Sequence, residues 1–142
     1  MMDNAIFPFI SEFAARCWMM QATTHHIHLG ITGVGSYAAH KALNDIYDMF
    51  PDWVDDLVEG ASGVGYDVSE MVGSNVSFDL PQCNTQSAIA MIEDFRSWIE
   101  SQMEILDPEG SPDKPEWDWV ENFMQEVLHS SAQTLYKLKK LS

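Results

Sequence analysis

Four side chains have the types and the spacing of a metal site: His28, His40, Asp55 and Glu59. Asp55 and Glu59 are four residues apart, so on one helix both carboxylates face the same way and can hold one cation. Imidazole and carboxylate together form a mixed ligand set that suits iron and tolerates zinc. We therefore predict these four residues as metal ligands, and as the catalytic residues of any metal-dependent reaction.

The distance along the chain divides these ligands into two pairs. His40 precedes Asp55 by fifteen residues, which is about 22 Å along a helix, so one ion cannot contact both. His28 can fold beside His40 through the glycine-rich turn between them. If the second helices of two subunits pack antiparallel about a twofold axis, the histidines of one subunit face the acids of the other, giving two sites per dimer. The alternative is that Asp55 and Glu59 are solvated surface acids.

Helical periodicity predicts four long helices that must position these residues. They begin near residues 4, 36, 85 and 113, and stretches rich in Gly, Pro, Ser and Asp separate them. The predicted core stripes are Ile10, Phe13, Cys17, Met20, Thr24 and His28; Ala39, Leu43, Ile46, Phe50, Val54 and Leu57; Ala88, Ile92, Phe95, Ile99 and Leu106; and Trp117, Val120, Met124, Val127, Ser131, Leu135 and Leu138.

Local signals predict where the second helix starts, bends and ends. Ser36 is the predicted N-cap, and Gly60 and Gly63 are predicted to stop the helix. Pro51 removes one backbone hydrogen bond, which predicts a kink or a restart with the proline in a first turn.

The connector between the second and third helices sets the predicted fold. Residues 64–84 are too many for a simple hairpin between neighbouring helices, and a short helix is predicted at about 68–72. Only residues 75–80 read as a strand. Two helix pairs joined by a long crossover predict an all-α, ferritin-like four-helix bundle, with residues 1–142 as a single domain.

Charge and composition limit the partners. The 142 residues include 22 acids and 7 bases, for a net charge of −15. Such a surface repels phosphate backbones, and the one basic cluster, at residues 137–140, is small, so we expect cations rather than nucleic acid as partners. Long uncharged apolar runs and a basic leader are missing, so we expect neither a membrane span nor export, and a cytoplasmic location. Cys17 and Cys83 are expected to be small buried residues.

Other candidate groups are weaker. Glu126 and His129 have the spacing of a ligand pair in di-iron bundles, but such sites need a second pair on another helix, so His129 is predicted as a surface or satisfied histidine. His25 and His26 lack a carboxylate at a useful spacing and are at most spare ligands near His28. Phosphate-binding loops and activated nucleophiles are missing too, which excludes the common phosphoryl- and acyl-transfer enzymes.

The ligand-bearing segment resembles a known family. The stretch HLGITGVGSYAAH from His28 to His40, followed by LNDIYDMFPDWVDDLVEG from Leu43 to Gly60, resembles the ferroxidase segment of Dps-type mini-ferritins, the DNA-protection proteins of starved cells. That family has two histidines twelve apart with a glycine five after the first, here Gly33, and then an Asp and a Glu four residues apart.

The resemblance follows the helix order of all 142 residues, but it is specific only between about residues 25 and 60. It implies iron sites shared across a dimer twofold and a hollow twelve-subunit shell. It also implies that hydrogen peroxide or oxygen oxidises ferrous iron, which is then stored as a ferric mineral.

Several positions depart from the family. Leu29 stands where relatives commonly have Trp, Asn44 stands where they often have an acid, and Pro51 interrupts a helix that is usually continuous. The lysine-rich N-terminal tail that relatives use on DNA is missing, so DNA binding is not carried over. Two hypotheses therefore stand: iron binding, oxidation and storage, or a non-catalytic ferritin-like scaffold with a degenerate metal site.

Overall fold

The computed structural model describes residues 2–71, 78–106 and 117–141. Its elements are α1 (Met2–Gly30), α2 (Ser36–Gly63), a short 3₁₀ helix (Val68–Glu70), α3 (Thr85–Leu106) and α4 (Asp118–Lys139). No strand occurs within these three ranges, and of the predicted strand, residues 78–80 have no regular structure while 75–77 lie outside them. The predicted all-α fold with four long helices is confirmed.

The four core stripes are also confirmed. Every predicted stripe residue is buried, including the polar Thr24, Ser131 and His28. Thr24 satisfies its hydroxyl within its own helix, donating to the Met20 carbonyl at 2.6 Å. Apolar burial at helical period is therefore what holds the four helices together.

Helix α2 ends at Gly63 as predicted, but it differs from prediction at its N-cap, at Gly60 and in having no restart at Pro51. Gly35, with φ 80°, is the N-cap, and Ser36 is the first helical residue; a left-handed φ favours glycine because it has no Cβ to clash. At the other end α2 continues through Gly60 to Gly63, and it also runs through Pro51 without a restart. Buried residues on both sides of the proline keep one continuous face in the core, and this packing overrides local propensity.

The helices are arranged so that α1 packs against α2 and α3, and α4 packs against the same two. We call the end with turn 31–35 the upper end; there Leu141 lies beside Gly35. At the opposite, lower end the ring of Tyr66 packs 5.1 Å from that of Phe7. Helix α2 therefore runs from the upper end to the lower one, and α4 runs back.

The connector after α2 contains less helix than predicted. The predicted helix at 68–72 is a single 3₁₀ turn, Val68–Glu70, and Val72 lies outside the described residues. Asp67 caps this turn: the Ser69 hydroxyl and backbone N–H donate to its Oδ1 at 2.7 and 2.9 Å. These two hydrogen bonds lower the pKa of Asp67. The predicted start of the fourth helix near residue 113 lies outside the described residues as well, and α4 is described from Asp118.

The two cysteines are both free thiols. Cys17 is fully buried in the core, and this burial raises the pKa of its thiol. Cys83 is half-buried rather than buried, because it lies before α3 at the edge of the bundle. Its thiol donates to the His26 carbonyl at 3.5 Å, so α3 begins beside the end of α1, at the upper end.

Each helix also carries charge along its length. In α1, Arg16 and Glu12 form an ion pair of 3.2 Å one turn apart. None of the four long helices, as far as their described residues go, has a stretch apolar and long enough to cross a bilayer.

Two glycines near the end of α2 give a matched test of the packing. A Cβ at Gly60 would lie 2.6 Å from the Trp119 ring of α4, whereas a Cβ at Gly63 would meet nothing within 4 Å. We expect Gly60→Ala to lower the free energy of unfolding by about 1–3 kcal/mol through overpacking. Gly63→Ala should raise it by about 0.5–1 kcal/mol, since alanine loses less backbone entropy in a helix. Urea unfolding followed by circular dichroism measures both, and equal effects would contradict the tight α2–α4 contact.

Candidate metal centre

The turn between α1 and α2 brings His28 and His40 into contact. Gly33 and Gly35 have φ values of 96° and 80°, conformations that let the chain reverse within residues 31–35. The two imidazole rings stack with centroids 3.6 Å apart and planes inclined by 21°. His28 is buried, at 8% exposure, and His40 is exposed, so the pair forms part of the protein surface.

The two histidines hold each other through reciprocal hydrogen bonds. Nδ1–H of His28 donates to the His40 carbonyl at 2.9 Å, and Nδ1–H of His40 donates to the His28 carbonyl at 3.1 Å. A carbonyl oxygen only accepts, so each Nδ1 must carry the proton. In the neutral ring Nε2 then has a free lone pair. A ring fixed by an Nδ1–H to carbonyl bond is the usual arrangement of histidines that bind metals.

The stack also limits how the pair can bind. The lone pair of an imidazole nitrogen lies in the ring plane, so stacked rings direct their lone pairs into two nearly parallel planes. One ion bound by both histidines therefore requires the rings to tilt away from the 21° seen here. Two ions, one on each Nε2, require no such change.

Asp55 and Glu59 lie on the second half of α2, and both are exposed. Since α2 is one continuous helix, Asp55 is about 22 Å along it from His40. Asp52 and Asp56 lie in the same segment, and the last turn holds no basic residue. Of these acids, Glu59 lies about one turn from the end of the helix, where the helix dipole disfavours a carboxylate. The segment is therefore an acidic surface that gains stability from any cation placed on it.

One chain alone does not assemble the four predicted ligands. It brings His28 and His40 together and leaves Asp55 and Glu59 near the other end of α2. Over residues 2–71, 78–106 and 117–141, no three His, Cys, Asp or Glu side chains gather closely enough to hold an ion. A complete site of these four residues therefore requires a second copy.

Tyr47 and His25 contact the histidine pair or each other, and the sequence analysis did not predict these ring contacts. The ring of Tyr47 lies 4.6 Å from that of His25 and 5.1 Å from that of His28. Its hydroxyl donates to Asn44 Oδ1 at 2.8 Å. The available signal was spacing: His25 lies three residues before His28, and Tyr47 seven after His40, each on the same helix face.

The remaining histidines lie apart from this cluster. His129 is exposed on α4, as is Glu126, so the surface position predicted for His129 is confirmed. His26 is half-buried, and its carbonyl accepts from Cys83.

Comparison with known protein families finds a match. The profile of a family described as "Family of unknown function (DUF5856)" matches residues 32–138. This range includes His40, Asp55 and Glu59 and covers α2, α3 and α4. No curated protein and no solved structure matches the chain significantly. Because the match spans about three quarters of its 142 residues, the chain belongs to DUF5856, a family of unknown function.

Proposed function

We propose that this protein binds ferrous iron, oxidises it and stores the product, at a site formed by His28 and His40 of one copy and Asp55 and Glu59 of another. The observation that carries the proposal is the reciprocal Nδ1–H to carbonyl hydrogen bonding of the two histidines. It places the proton of each ring on Nδ1 and so leaves each Nε2 able to bind a metal ion when the ring is neutral.

The helix arrangement supports a ferritin-like fold as part of this proposal. Helix α2 ends at the lower end, where Tyr66 packs on Phe7, and α3 begins at the upper end, where Cys83 contacts the His26 carbonyl. The connector must therefore pass from one end of the bundle to the other. A single long crossover between two helix pairs is characteristic of ferritin-like bundles.

The exposed face of α2 is suited to a second copy. Beside the ligands lie Tyr37, which is 74% exposed, and the half-buried Tyr47 and Val58. Amphipathic tyrosines are enriched in protein interfaces. Antiparallel pairing of two α2 helices places the histidines of each copy beside the acids of the other, and the twofold axis generates two equivalent sites.

The ligand chemistry favours iron as the substrate, with zinc as a substitute. Two ferrous ions each give one electron to hydrogen peroxide, which takes up two protons and leaves as two waters; oxygen is the alternative oxidant. The imidazoles and carboxylates of the site bind ferrous iron, and the carboxylates become stronger ligands as the charge on the iron rises. The net charge of −15 attracts the cation and retains the ferric product, and a closed shell of copies would enclose it.

Metal binding tests the site directly. We expect His28→Ala to weaken Fe²⁺ or Zn²⁺ binding by at least about tenfold, since loss even of groups that only orient a ligand has effects of that size. Equilibrium dialysis under anaerobic conditions measures the affinity, and ferric absorbance after peroxide addition measures oxidation. His129→Ala is the matched control, because it removes an exposed imidazole outside the cluster. Equal binding by both variants would reject the site.

A non-catalytic scaffold is the second candidate function. It is favoured by the hydrogen bond that Asn44 accepts from Tyr47, because an amide stands where a carboxylate ligand would help and its oxygen is already engaged. If dialysis finds no saturable divalent metal per subunit near neutral pH while the protein still self-associates, the scaffold is the correct function.

A further inference from the structure

A groove lined by lysines lies at the upper end, between the first half of α2 and the last turns of α4. It has a volume of about 430 Å³, and its lining includes Lys41 and Asp45 of α2 and Lys137, Lys140 and Leu141 of the α4 end. We refer to it as the lysine groove. It is separate from the histidine pair, which faces the α1 side of α2.

The lysine groove carries uncompensated positive charge. Lys137 has an acidic partner, Asp45, at 3.7 Å, and both side chains are more than half exposed, so this pair is weak. Lys41 and Lys140 instead lie over the rings of Tyr37 and Tyr136, at 5.7 and 5.4 Å. Neither makes an ion pair with a carboxylate within the described residues, although the chain has 22 acids.

Charge is distributed unevenly along the bundle. Four of the seven bases, Lys41, Lys137, Lys139 and Lys140, lie at the upper end. The lower end carries Asp52, Asp55, Asp56, Glu59, Asp118 and Glu121. Arg16 and Arg96 lie midway along α1 and α3, and the lower halves of α2 and α4 contain no Lys or Arg. The upper halves of α2 and α3 also carry Asp45 and Glu93, which pair with Lys137 and Lys139. The complementarity therefore lies between Lys41 and Lys140 of the groove and the acidic lower end of another molecule.

We propose that the lysine groove is a self-association surface that receives the acidic lower end of a second copy. Asp52 and Asp56 follow Asp45 by seven and eleven residues, so they continue the same face of α2 that lines the groove. In an antiparallel pair, a twofold axis perpendicular to both α2 helices keeps α4 of each copy on the same side. Each groove then meets the partner's Asp52 and Asp56, and the contact is made twice.

This inference rests on the antiparallel pairing in the proposed function, and it adds the contact that selects this pairing. A parallel pair would place groove against groove and acids against acids, which like charges oppose. The lysine groove therefore sets the antiparallel orientation of the two copies, and the histidines and acids beside it bind the metal.

Sedimentation equilibrium tests the lysine groove. We expect the wild-type dimer to dissociate more readily at about 500 mM than at about 50 mM NaCl, because salt screens exposed charges. Lys140→Glu and Lys41→Glu should each raise the dimer dissociation constant by about tenfold or more at low salt. Lys139→Glu is the matched control, since it makes the same charge change beside the groove, at a lysine that pairs with Glu93. Asp56→Lys combined with Lys140→Glu should restore association.

The outcomes separate this inference from the proposed function. A dimer whose stability is the same in all three lysine variants overturns the inference and leaves the metal site intact. A dimer that depends on the groove but binds no metal supports the inference and rejects the proposed function. A wild-type monomer at both salt concentrations, or duplex DNA bound by the monomer through these lysines at physiological salt, overturns the inference.

Discussion

We expect a mixture of two inactive variants to recover iron oxidation that neither variant shows alone. The first is a double variant that carries both His28→Ala and His40→Ala and lacks the imidazoles. The second carries both Asp55→Ala and Glu59→Ala and lacks the carboxylates. In a dimer of one chain of each kind, the intact histidines of the second variant face the intact acids of the first. Random association in equal amounts makes half of the dimers mixed, each with one of its two sites complete, so about a quarter of the wild-type sites return.

Ferric absorbance after peroxide addition measures this recovery, once the two variants have been unfolded and refolded together. The control mixes two single variants, one with His28→Ala and the other with His40→Ala. Both substitutions fall in the histidine half of the site. No mixed dimer of this pair has a complete site, so it should recover no oxidation. Equal activity from the two mixtures would show that the reaction does not use a site shared between copies.

The fold was largely accessible from sequence because apolar burial repeats at the helical period. The stripe Ala88, Ile92, Phe95, Ile99 and Leu106 predicted α3, which begins at Thr85 and is helical to Leu106. Its start is fixed locally, since Asn84 Oδ1 accepts from the Ser87 N–H at 2.8 Å and caps the helix.

The ends of α2 were less accessible, because tertiary packing decides them. Gly60 reads as a helix stop, yet the Trp119 ring lies so close that only glycine fits without a shift. Ser36 reads as an N-cap, but Gly35 takes this position through its left-handed backbone. The local pattern of residue types predicts neither the contact of Gly60 with α4 nor the φ angle of Gly35.

The candidate site was also predictable only in part from the sequence. Spacing and the glycine-rich turn indicated that His28 can reach His40, and helix length indicated that neither can reach Asp55. The packing of Tyr47 on His25 and His28 depends on the angle at which α1 and α2 meet, which a helical wheel does not give. The predicted partner copy lies outside any single chain, so its contribution stays a prediction that the mixing experiment decides.

The largest effect on stability is expected from Phe13→Ala. Phe13 is fully buried in the middle of the bundle. Its ring lies 5.4 Å from that of Phe123, 5.7 Å from Phe9, 6.2 Å from Phe95 and 6.5 Å from Trp98. These rings belong to α1, α3 and α4, so one truncation opens a cavity where three helices meet. Loss of a buried phenyl ring lowers the free energy of unfolding by about 3–5 kcal/mol.

Urea unfolding followed by circular dichroism measures this loss, with Trp18→Ala as the matched control. Trp18 is also an aromatic residue of α1, but it is 53% exposed, so its truncation should change the free energy of unfolding by no more than about 0.5 kcal/mol. A metal-bound dimer gains stability from mass action, so both variants are compared without metal at one protein concentration. Similar losses for Phe13→Ala and Trp18→Ala would mean that the aromatic cluster does not hold α1 against α3 and α4.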